Sequence, residues 1–125
     1  MLYLCFKCYE VARQAYSAAL QIEPRHLDAR NNLGNIHLRR RQLKEAAEAY
    51  LQVLEQDPTY VRAHNNLGNA YLLAGRETEA ISAFEKAVEA DPSYGSPRQM
   101  LARLYRKNGR AAEAERHEAA LNRIR

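Results

Sequence analysis

The segment Asn31-Asn32-Leu33-Gly34-Asn35 returns 34 residues later as Asn65-Asn66-Leu67-Gly68-Asn69. Pro24, Pro58 and Pro92 keep the same spacing, as do Ala12, Ala46, Ala80 and Ala114. Laying residues 27–60 over 61–94 gives 14 identities in 34 positions. A fixed period of this length describes a stack of similar units, each burying its apolar face on the next, rather than one closed core. Stacks offer long surfaces, which tilts the functional expectation towards binding.

Each period reads as two helices. In 27–40, Ala29, Leu33, Ile36 and His37 recur at intervals of three and four, the spacing that places residues on one helical face. In 43–56, Leu43, Ala46, Ala47, Tyr50, Leu51, Val53 and Leu54 do the same. Asp57-Pro58 ends that helix, because the residue before proline is pushed out of the α region. The pattern repeats as 61–74, 77–90, 96–108 and 111–123, with stops at Ala74-Gly75, Asp91-Pro92 and Asn108-Gly109. Ahead of these, 9–22 reads as the second helix of an incomplete unit and 1–7 as what remains of its first. Turns this short make neighbouring helices antiparallel. No segment alternates with period two, so the expected class is all-α.

These positions resemble the tetratricopeptide repeat. Residues 61–94 supply His64, Leu67-Gly68, Tyr71, Gly75, Ala80, Phe84, Ala87 and Pro92, and 27–60 supply Arg30, Leu33-Gly34, His37, Ala46, Tyr50, Val53 and Pro58. Arg41 stands where glycine is usual. The last repeat has Leu101-Ala102, Tyr105, Gly109 and Ala114, but Glu118 replaces the aromatic. The partial first repeat keeps Tyr3, Ala12, Tyr16, Ala19 and Pro24. The resemblance implies an α-solenoid of antiparallel helix pairs in a right-handed superhelix. It would form a single domain over 1–125, divided into a partial repeat 1–26, repeats 27–60 and 61–94, and a final repeat 95–125. Glu113, Glu115, Arg116, Glu118 and Arg123 give the last helix the polar outer face that a solenoid end requires. Packing at Gly34, Gly68 and Ala102 is expected to be close, with Ala46, Ala80 and Ala114 meeting them from the facing helix.

No chemistry-bearing constellation stands out. There is no supported Ser/His/Asp grouping, phosphate-cradling glycine loop or His-Glu-x-x-His. The chain therefore reads as a non-enzyme with no cofactor, no catalytic residue and no metal ligands. The four histidines fall on repeat positions or on the last helix. Cys5 and Cys8 lack the second ligand pair of a zinc site and the histidine of a haem site, and they read as small apolar packing residues. All eight tyrosines sit on repeat positions, leaving none over for stacking bases, so nucleic acid is not the expected partner.

Residues 98–125 carry eight Arg or Lys and three Glu, a net +5, while the rest of the chain sums to −1 of the total +4. Nothing approaches the roughly 20 apolar residues of a membrane span. Met1–Phe6 is too short for the apolar core of a secretory signal, so cytoplasm is the expected location. Met1 falls within a first helix of the repeat, so the expectation is either a piece of a longer chain or an apolar end that packs on a partner or another copy.

The resemblance places the first helix of each pair on the concave face. Removing its core positions leaves Asn31, Asn32 and Asn35 in one repeat, Arg62, Asn65, Asn66 and Asn69 in the next, and Gln99, Arg103 and Arg106 in the last. Asparagine is a mediocre helix former because its amide competes for backbone hydrogen bonds. An Asn amide can pair with the C=O and N–H of one peptide unit together, so rungs one repeat apart could hold an extended backbone. Asn32 and Asn66 match the ladder position in the repeats of O-GlcNAc transferase, to which this face is similar. The alternative is that the inner asparagines brace neighbouring helices.

The expected function is a protein-interaction scaffold that holds an extended peptide or partner helix in the concave groove. Arg62, Arg103 and Arg106 would favour an acidic segment. The competing expectations are a self-assembling structural module, joined as a homo-oligomer through the apolar N-terminal end, and the repeat segment of a larger enzyme such as a glycosyltransferase.

Overall fold

In the computed structural model, the described residues are 6–22 and 26–124. They form seven α-helices in the order α1 (Phe6–Ile22), α2 (Leu27–Arg39), α3 (Leu43–Gln56), α4 (Val61–Leu73), α5 (Glu77–Ala90), α6 (Gly95–Lys107) and α7 (Ala111–Ile124). Helices α2 and α3, α4 and α5, and α6 and α7 form antiparallel pairs. The chain divides into two compact units, Met1–Pro58 with α1 to α3 and Thr59–Arg125 with α4 to α7.

Six of the seven helices start and stop within a residue or so of where the periodicity places them. The exception is α1, which begins at Phe6, so no break separates residue 7 from residue 9. The physical reason is local: residues 6–22 contain no glycine or proline to interrupt the helix. Tyr3, Cys5, Pro24 and most of the apolar N-terminal segment lie outside the described residues. Cys8 is exposed, contrary to the packing role expected of it.

Helix ends follow two designs. Asp57 and Asp91 stand extended at the C-terminal ends of α3 and α5, each directly before a proline. The Asp91 carboxylate then accepts from the Ser93 backbone N–H at 3.0 Å and from its hydroxyl at 2.6 Å, closing a local turn. The first helix of each pair instead ends in a left-handed residue: Arg41 at φ 62°, Gly75 at φ 78° and Gly109 at φ 75°. The following amides reach back five residues, Gln42 to His37, Arg76 to Tyr71 and Arg110 to Tyr105, at 2.8–2.9 Å. This pattern satisfies carbonyls that the helix leaves open. Arg41 adopts it despite its Cβ, which makes it the one strained cap of the three.

The closest packing is between a glycine and an aromatic ring. A Cβ built on Gly34 would lie 2.6 Å from Cε1 of Tyr50, and one on Gly68 would lie 2.6 Å from Cε1 of Phe84. Both rings are fully buried. The nearest atoms to each glycine belong to the ring of the second helix, and Ala46 and Ala80 on the same helices are fully buried as well. In the last repeat Glu118 replaces the ring, and the small residue is Ala102. Phe84 also anchors the core of the second unit with Ala80, Leu101, Ala102, Leu104, Tyr105 and Ala114.

Candidate functional site

The candidate residues sit on the first helix of each pair: α2 in the first unit, and α4 and α6 in the second. Helical geometry decides their fate. Positions 31 and 65 turn inward, at 1% and 5% exposure. The side-chain N–H of Asn65 donates to the Ser96 hydroxyl at 3.4 Å, tying α4 to α6, while its oxygen is buried without a partner. Asn31 and Asn65 thus occupy the interior, as bracing residues do.

Asn35 and Asn69 are equivalent in sequence and differ in chemistry. The Tyr50 hydroxyl donates to Oδ1 of Asn35 at 2.5 Å. Burial pushes the Tyr50 hydroxyl well above its ordinary range, so it stays a donor. Asn69 stands one repeat on, where Phe84 has no hydroxyl to give. Among the described residues its amide makes no hydrogen bond and it is half-buried. Asn32 is likewise half-buried without a side-chain hydrogen bond among the described residues. Asn66 does interact with its surroundings.

The basic candidates also divide. Arg106 forks onto Glu118, with Nε at 3.0 Å and Nη2 at 2.6 Å from the two carboxylate oxygens. This guanidinium holds the Glu118 carboxyl below the usual range. Arg62 donates to the Tyr60 hydroxyl at 2.8 Å and lies 5.3 Å from the centre of that ring. Arg103 and Gln99 are exposed on α6 and form no hydrogen bond or ion pair among the described residues. The uncommitted members of the candidate set are therefore Asn32 in the first unit and Asn69, Gln99 and Arg103 in the second.

The histidines work locally. His26 caps α2, its Nδ1 accepting from the Ala29 N–H at 3.2 Å. His37 Nδ1 lies 2.8 Å from Oε1 of Gln42. His117 is more deeply embedded than its place on a polar end helix suggested. Its ring stacks on Tyr105 at 5.9 Å between centres, Nδ1 lies 3.1 Å from Nη1 of Arg98, and Nε2 lies 3.4 Å from Oε1 of Glu85. Sequence reading missed this cluster because its members are separated by up to 32 residues and belong to no motif.

Comparison with known proteins fits this architecture. A tetratricopeptide repeat model matches residues 9–61 and 42–95, and a second model of the same repeat matches 71–123. The chain belongs to the tetratricopeptide repeat family. Members of this family typically mediate protein–protein interaction. No curated protein gives a significant sequence match. Among solved structures, MamA 41-end from Desulfovibrio magneticus RS-1 aligns with a TM-score of 0.78 and 26% identity, over 93% of this chain and 66% of that one. A double mutant of RS-1 MamA gives a TM-score of 0.80 at 26% identity, over 93% and 65%. The chain thus spans just under two thirds of the length of these two relatives. A further MamA crystal structure is covered over 96% of its length, at 16% identity and a TM-score of 0.65, and shows the common fold. The comparisons lend no support to the likeness to the O-GlcNAc transferase superhelix. Among the described residues, no helix is long and apolar enough to cross a membrane.

Proposed function

We propose that this tetratricopeptide repeat chain binds a protein partner as an extended peptide laid along the first helices α4 and α6 of its second unit. Asn69, Gln99 and Arg103 would make the contacts. The observation that carries the reading is the contrast between Asn35 and Asn69. One amide has its oxygen taken by a tyrosine hydroxyl, while its counterpart is kept in a costly helical position with no internal partner. A free amide beside an exposed arginine suits a peptide backbone next to an acidic side chain. The test is a pull-down comparing wild type with an Asn69→Ala/Arg103→Ala double variant whose helicity is checked by circular dichroism. Loss of the partner from a folded variant supports the reading, and equal capture by both proteins refutes it.

Self-association is a second reading, favoured by Val11 and Ile22, which are 62% and 88% exposed on α1. A solution mass that rises with concentration supports it, and a constant monomer mass removes it.

A further inference from the structure

The second unit holds a cluster that the peptide-binding reading does not use. Glu85 of α5, Arg98 of α6, and Arg116 and His117 of α7 line a cavity of about 270 Å³. Glu85, Arg98 and His117 are held by hydrogen bonds and close polar contacts. The Tyr105 hydroxyl donates to Oε2 of Glu85 at 2.6 Å, and the other Glu85 oxygen faces Nε2 of His117. Arg98 donates through Nε to the Pro92 carbonyl at 3.1 Å and through Nη1 towards Nδ1 of His117.

This arrangement fixes the imidazole tautomer. Arginine can only donate, so Nδ1 must accept from Arg98 and the ring proton must sit on Nε2, pointing at Glu85. Such a histidine is neutral. Burial holds its pKa below the ordinary value, the Arg98 and Arg116 charges push the same way, and Glu85 opposes them. Arg116 is exposed and makes no hydrogen bond or ion pair among the described residues. The cavity wall therefore carries two guanidinium charges against one carboxylate, and that carboxylate is already engaged by Tyr105 and His117. One positive charge is left over at a concave, half-walled position, where fields are concentrated.

We propose that this cavity between α5, α6 and α7 receives a carboxylate group of an acidic partner segment, clamped by Arg116 and Arg98 with His117 at its back. The shape and chemistry fit a carboxylate: Arg116 offers an uncommitted guanidinium fork, Arg98 adds the Nη2 donors that its bonds to Pro92 and His117 leave over, and the space suits a small side-chain head. The bound anion also changes the histidine. With a negative charge beside it, protonation of Nδ1 no longer meets an uncompensated Arg98, so the occupied site raises the His117 pKa. By linkage, binding strengthens as pH falls towards the titration of His117 and weakens above it. The groups that set this response are Glu85 from α5, Arg98 and Tyr105 from α6, and Arg116 from α7. The site is independent of Asn69 and Arg103, so it stands or falls apart from the peptide reading above.

The test follows the His117 ring resonances by NMR, assigned through a His117→Gln variant, while an end-blocked hexaglutamate peptide is titrated at low salt. The expected result is a saturable shift of those resonances, an upward move of the His117 titration, and affinity weakened about tenfold in Arg116→Gln, as for loss of one charge-assisted pair. Arg116 is exposed, so that variant keeps the fold, and Lys44→Gln, which removes an exposed charge from α3 outside both sites, should bind the peptide as wild type does. Unmoved His117 resonances, or equal affinity in Arg116→Gln, overturn the proposal. A response to inorganic phosphate with none to hexaglutamate would overturn the carboxylate assignment as well.

Discussion

The pair Gly34–Tyr50 in the first unit and the pair Gly68–Phe84 in the second have the same geometry, with the same 2.6 Å approach of ring to backbone. They differ by one hydroxyl. In the first unit that hydroxyl reaches Asn35 and ties α2 to α3. In the second unit the ring ends in carbon, and Asn69 keeps both its donor and its acceptor. A single oxygen in the core thus decides whether the asparagine oxygen on the first helix has a partner within its own pair. The last repeat takes the comparison one step further. Glu118 replaces the ring, turns outward to Arg106, and lets the small residue grow to Ala102.

The most severe way to break this comparison is to remove a ring. Phe84→Ala is expected to destabilise the second unit by about 3–5 kcal/mol, through lost burial and the cavity left behind. Chemical denaturation would measure it, and a loss under 1 kcal/mol would mean the ring is not the anchor. Filling the glycine side is the next largest change. Gly34→Ala and Gly68→Ala should each cost about 1–3 kcal/mol, because the new methyl meets a fully buried ring that has nowhere to move. In a Phe84→Leu background the Gly68→Ala penalty should shrink, which a double-mutant cycle would detect.

Exchanging the hydroxyls sharpens the comparison further. Tyr50→Phe should cost about 1 kcal/mol, a typical net hydrogen bond, and should free the Asn35 amide. Phe84→Tyr should capture Asn69 in the same way and weaken partner binding while leaving helicity intact. If binding is unchanged in Phe84→Tyr, Asn69 is not a contact. The smallest expected effect lies at the strained cap. Arg41→Gly should stabilise the first unit by about 0.5–1 kcal/mol, since glycine carries no Cβ penalty at φ 62°. The matching Gly75→Arg change should have the opposite sign. Thermal unfolding of the two variants side by side would show whether the caps are equivalent.

Acidification adds a separate test of the second unit. The folded pKa of His117 lies below its ordinary value, so the unfolded chain binds the proton more readily. The stability this contributes is present above pH 6.5, is lost as pH falls through the lower folded value, and should be absent from His117→Gln. A pH series of denaturation midpoints that is identical in the two proteins would contradict the burial of that ring.

Much of the fold was legible in the sequence because its signals are local. Helical spacing, Asp-Pro stops and Gly at left-handed caps act within a few residues, and they placed the bounds of six helices closely. The start of α1 escaped because no breaker marks it: an apolar run ahead of residue 9 reads as a separate helix only if something interrupts it. The commitments of the candidate site were not legible. Asn35 and Asn69 have identical neighbours in Asn-Asn-Leu-Gly-Asn, and their difference is set by residues 15 positions further along, Tyr50 and Phe84. The same holds for Arg106, whose partner Glu118 is 12 residues on, and for His117, whose partners come from three helices. The sequence by itself determined the period, the helices and the family, because backbone preference and hydrophobic spacing are short-range. Tertiary structure alone decided which polar groups are spent inside and which stay uncommitted, because hydrogen bonds form between side chains that only packing brings together.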